Sequence, residues 1–210
     1  MSTTKKNNTK VLVECALLIA IATVLNVVCS FIPFLNLPFG GGFTVCSMLP
    51  IVLAAYRNGT KWGLLTGFVY AVVQMLLGFK TVSAFFMPGS DSYMVLWKAV
   101  CVCLIGIFRN KIKNPSVSLC VGSIFALSRR YIAHIISGFI FFGTWADWFF
   151  SQDGFTLGAK ILEKFSGQGL AFLYSVIYNG LYMIPEIIIT AIVALIIGRV
   201  PQISGRKNTK

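Results

Sequence analysis

The sequence predicts an all-α integral membrane protein, six transmembrane helices in a compact bundle with both termini in the cytoplasm. Three observations point there. Hydrophobic residues make up 57% of the 210 and charged residues 11%, and the mean hydropathy of +0.81 lies outside the soluble globular range. Long apolar runs recur from one end of the chain to the other. The cations gather at the ends of these runs, so the net charge of +12 reads as a topology signal; no sustained basic face or stacking motif suggests nucleic acid.

The runs cover 11–32, 43–56, 62–79, 93–108, 116–142 and 169–200. A spanning helix needs about 20 apolar residues, which leaves the second and fourth short. Charge parity nevertheless favours six crossings. With Lys5, Lys6 and Lys10 inside, Arg57 and Lys61, then Arg109, Lys111 and Lys113, and finally Arg199, Arg206, Lys207 and Lys210 also fall inside. The alternate loops carry Lys80, Lys160 and Lys164 against Asp91, Asp147, Asp153 and Glu163. Five crossings would break the pattern.

The first run is too long for a signal-peptide core, and no small-residue cleavage site follows it, so it reads as a helix. Residues 1–10 are expected to form a disordered basic tail, 11–200 a single six-helix substrate-binding domain, and 201–210 a basic cytoplasmic tail. Segments 33–42 and 143–167 are expected as outward loops.

Several chemistries lack their signatures. The six cysteines fall in or beside apolar runs with no Cys-x-x-Cys pair, and the chain has one histidine, so neither a metal site nor a cofactor is expected. The Asn58-Gly59-Thr60 sequon falls on a cytoplasmic turn. No zinc-protease motif, nucleophile elbow or nucleotide-binding loop is present, and Ser137 with His134 lacks an orienting acid, so no catalytic residue is assigned. A membrane enzyme using His134 is the weaker alternative; a self-sufficient secondary transporter is another, although no internal repeat supports it.

Polar residues inside the apolar runs are costly, and their depths single out one level. His134 lies in the outer half of the fifth run, followed at helical spacing by Gly138, Phe141, Phe142 and Trp145. The sixth run enters from outside, which places Tyr174, Tyr178, Asn179 and Tyr182 in its outer half, about 8 to 20 Å from its start at 1.5 Å per residue. Asn179 needs partners for two donors and two acceptor sites, met by a neighbouring helix or by a ligand. Arg129 and Arg130 sit deeper and read as structural, bonding carbonyls or an acid such as Glu186. Glu14 reads as a favourable charge at a helix start.

Ser128-Arg129 with Tyr131, His134 and Ser137-Gly138, then Tyr174 through Gly180 and Tyr182 through Glu186, resemble the thiamine-specific substrate-binding subunit of energy-coupling-factor (ECF) vitamin transporters. Gly40-Gly41-Gly42 before Ser47-Met48-Leu49-Pro50, Lys61 through Leu65 with Gly67, and Gln74 before Gly78 extend the likeness. The resemblance implies six helices in the plasma membrane of a bacterium, an outward-facing vitamin pocket and no motor of its own. It implies ligand contacts from His134, Tyr174 and Asn179, and docking of a transmembrane coupling subunit, itself served by two ATPase subunits, on Ala16 and Ala20 of the first helix.

Two positions depart from that pattern. The family's glutamate on the fourth helix has no counterpart within 93–108, and Phe142 stands where tryptophan is expected. Tyr93, Tyr182, Phe142 and Trp145 are therefore assigned to the pocket wall, with Asp147 or Asp91 supplying the charge for a cationic ring. The implied ligand is thiamine or a related heterocyclic vitamin or precursor.

Overall fold

A computed structural model describes residues 8–35, 37, 42–77, 112–152 and 156–201. Helix α1 is Asn8–Ser30, α2 Leu49–Asn58, α3 Thr60–Leu77, α4 Pro115–Phe142, α5 Ala146–Phe150, α6 Gly158–Lys164 and α7 Gly167–Ile197, with short 3-10 turns at Pro33–Leu35 and Gly143–Trp145. Among the described residues four helical stretches are long and apolar enough to cross a membrane: Asn8–Ser30, Thr60–Leu77, Pro115–Phe150 and Gly167–Ile197. Leu12, Leu17, Ile21, Val24 and Val28 of α1 are exposed, as are Leu181, Ile184, Ile188 and Ile192 of α7, an arrangement suited to lipid rather than water.

The second apolar run, read as short from the sequence, is helical over only part of its length. Its helix begins only at Leu49 and holds ten residues, about 15 Å, half the hydrocarbon thickness. Pro50 lies in the first turn, where its missing N–H is harmless; further inside a longer helix it would break the ladder. Cys46, at φ 55°, turns the chain just before. Leu49 through Tyr56 are all buried, so this segment is apolar because protein surrounds it. The fourth run lies outside the described residues.

One residue, Gly59, joins α2 to α3. Its φ of 90° suits glycine, and its N–H closes α2 on the Ala55 carbonyl at 2.9 Å. The two helices then run so close that a Cβ on Gly63 would fall 2.4 Å from that of Ala55. Around α2, Ile51, Val52, Ala55 and Tyr56 pack with Ala22, Tyr70, Leu119, Leu127 and Ala194 in the larger core. Glu14 does more than favour a helix start: it pairs with Arg57 of α2.

Asn114 caps α4, its side chain accepting from the N–H groups of Ser116 and Val117, and Pro115 takes the first turn. Helix α4 runs antiparallel to α7. Gly198 meets Ser116, Gly180 meets Tyr131, Gly138 meets Ser175 and Gly143 meets Ala171, so small residues hold the two helices together along their length. The expected loop at 143–167 carries α5 and α6, and Ala146 and Phe150 of α5 pack onto α7 with Leu170, Tyr174, Tyr178 and Met183.

Candidate functional site

The α4–α7 seam gathers the polar groups. A Cβ on Gly138 would lie 2.3 Å from Ser175 Oγ and 2.9 Å from Asn179 Nδ2, so glycine there is what lets those groups approach α4. Ser175 Oγ donates to the Ile135 carbonyl at 2.7 Å. Asn179 Nδ2 reaches the Ser175 carbonyl at 2.8 Å, Ser175 Oγ at 3.2 Å and the His134 carbonyl at 3.3 Å, while its Oδ1 accepts from the Tyr182 hydroxyl at 2.6 Å. Tyr182 Oη also lies 3.3 Å from His134 Nδ1, and the two rings meet edge to face.

One turn below, Arg130 Nε lies 3.3 Å from His134 Nε2, and its Nη1 pairs with Glu186 Oε1 at 3.2 Å. Thr44 Oγ1 donates to the same carboxylate oxygen at 2.8 Å. The Glu186 side chain is 0% exposed and that of Arg130 12%, which is the structural pairing expected of them. Arg129 stacks its guanidinium over Phe125. Two buried oxygens in the seam, Ser137 Oγ and Glu186 Oε2, have no partner among the described residues.

The residues singled out in the sequence thus divide. His134, Asn179 and Tyr182 meet in one chain of bonds. Tyr174 is buried beside them in an aromatic cluster, its ring 5.3 Å from Phe149 and 5.4 Å from Tyr178, with Phe142 partly buried against the same cluster. Trp145 and Asp147 lie on the exposed side of their elements. Ala16 and Ala20 are both exposed on α1. Tyr93 and Asp91 lie outside the described residues. The sequence reading missed Phe149, since a five-residue helix leaves no periodic signal, and the link from Arg130 to His134, whose only trace was their four-residue spacing. Among the described residues no cluster of His, Cys, Asp or Glu could hold a metal ion.

Fold and seam define a multi-pass helical membrane protein whose polar groups are drawn inside the bundle. The family model described as thiamine transporter protein (Thia_YuaJ) matches residues 12–151. Thiamine transporter ThiT of Bacillus subtilis (strain 168) is 31% identical over 191 residues, covering 87% of this chain and 86% of that protein. The chain belongs to this family of thiamine transporter proteins, a family of transporters and not of enzymes, and is a multi-pass cell-membrane protein. A solved structure of ThiT from Listeria monocytogenes covers 94% of this chain and 98% of that one with a TM-score of 0.62; at 24% identity this likeness bears on the fold alone.

Proposed function

We propose that this chain is the substrate-binding subunit of an ECF-type transporter, capturing thiamine or a related heterocyclic vitamin or precursor from outside the cell. The observation that carries the reading is the convergence of His134, Tyr182 and Asn179 at one buried level between α4 and α7. Polar groups at that depth are costly unless bonded to one another or to a ligand, and here they stand beside an aromatic wall of Phe149, Tyr174 and Tyr178 suited to a flat ring. In this reading His134, Tyr174 and Asn179 contact the ligand, Phe142, Trp145, Tyr93 and Tyr182 complete the wall, and Asp147 or Asp91 offsets a positive ring.

In this reading the cations at the ends of the apolar runs put both termini on the cytoplasmic side, which leaves α5 and α6 facing outward. The chain has no nucleotide-binding loop, so active uptake needs a transmembrane coupling subunit and two ATPase subunits. The exposed pair Ala16 and Ala20 allows the close helix approach such a partner requires. Isothermal titration of the purified chain with thiamine and with its pyrimidine and thiazolium halves tests the first part. Binding to at least thiamine or one half is expected, and heat from none of them would end the reading. ATP-dependent uptake by vesicles holding this chain alone would contradict the second part.

A further inference from the structure

We propose that Arg130 is a positioning residue that decides which ring nitrogen of His134 carries the proton, and through it orients the Asn179 amide. A guanidinium can only donate hydrogen bonds. Its Nε faces His134 Nε2 at 3.3 Å, so that nitrogen has to offer its lone pair and the proton of the neutral ring sits on Nδ1. From there the order is forced. His134 Nδ1 donates to Tyr182 Oη at 3.3 Å, which leaves the single Tyr182 proton for Asn179 Oδ1 at 2.6 Å. The Asn179 oxygen thereby faces Tyr182, and its nitrogen faces the Ser175 and His134 carbonyls.

The opposite tautomer would set one N–H against another at Arg130. It would also draw the Tyr182 proton to His134 and deprive Asn179 Oδ1 of its donor. Arg130 is itself held by Glu186, whose carboxylate also accepts from Thr44, so the first donor of the chain is anchored on a buried acceptor. The four-residue spacing of Arg130 and His134 puts both on one face of α4, and Glu186 of α7 holds the guanidinium there. The functional weight of this arrangement rests on the reading that His134 and Asn179 face the ligand; the tautomer does not.

His134 is the only histidine, so histidine labelled with nitrogen-15 gives a single-site NMR spectrum of the whole ligand-free protein in detergent. At mildly alkaline pH, where imidazole is neutral, the expected spectrum shows a protonated Nδ1 and a bare Nε2. Arg130→Met combined with Glu186→Leu removes the donor together with the charge it balances, and the majority of the ring is expected to move to the Nε2–H form that water favours. Tyr182→Phe, with Arg130 in place, is expected to keep the Nδ1–H form. A bare Nδ1 in the unaltered chain, an unchanged spectrum in the Arg130→Met, Glu186→Leu double variant, or loss of Nδ1–H in Tyr182→Phe would each overturn the proposal. Should the double variant not fold, the other two spectra still decide it. Failure to bind thiamine with the expected tautomer would strike the ligand reading alone.

Discussion

Two places among the described residues bring helices unusually close, and they use the closeness differently. At the α2–α3 corner Gly63 abuts Ala55, and the neighbours Ile51, Val52 and Ala54 are fully buried carbon. At the α4–α7 seam Gly138 abuts Ser175 and Asn179, and the neighbours are a carboxylate, a guanidinium, an imidazole and a phenol. The corner converts proximity into packing density. The seam converts it into a directed chain of buried hydrogen bonds, where each group depends on the next.

The contrast can be broken from the seam side most severely. Glu186→Leu strands the largely buried Arg130 and is expected to cost about 3 kcal/mol, read as a collapse of the monodisperse peak in size-exclusion chromatography; adding Arg130→Met should restore most of it. The two glycines give the sharper comparison. Gly63→Ala and Gly138→Ala should each cost about 1–3 kcal/mol in thermal unfolding, since both force a methyl into filled space. Only Gly138→Ala should weaken thiamine binding, by about tenfold or more, the equivalent of roughly 1.4 kcal/mol. Equal losses of affinity in both variants would erase the distinction drawn here.

Smaller effects refine it. Tyr131 Oη donates to the Val176 carbonyl at 2.8 Å on the seam's flank, and Tyr131→Phe should lower stability by about 1 kcal/mol with affinity unchanged. Asn26 Nδ2 donates to Gln74 Oε1 at 2.7 Å between α1 and α3, remote from the seam. Asn26→Leu should cost only about 0.6 kcal/mol, because polar groups within a bilayer find other partners when unfolded.

Much of this was legible in the chain, and the misses have physical causes. The runs 116–142 and 169–200 read as helices because nothing but a helix satisfies the backbone in lipid over that length, and they correspond to Pro115–Phe142 and Gly167–Ile197. Run 43–56 set the bounds of its helix less well, because hydropathy responds alike to lipid and to a protein core. Pro50 marked the true helix start, a few residues later. The helical rise brought His134, Asn179 and Tyr182 to one level. It could not separate Tyr174, which faces the rings of α5 rather than the bonded chain, since α5 is too short to announce itself. Nor does four-residue spacing say which nitrogen of His134 meets Arg130.

Arg130 and Glu186 cancel, and the amide, phenol and hydroxyls around them carry no charge. With His134 neutral, as proposed above, the described part of the seam is electrically balanced before anything binds. A balanced wall can sense where a guest's donors and acceptors lie, yet it returns nearly the same answer for a cation and for a neutral ring of the same outline. Under the proposed ligand reading, the geometry that recognises the shape of a guest and the field that recognises its charge are then separable parts of this protein.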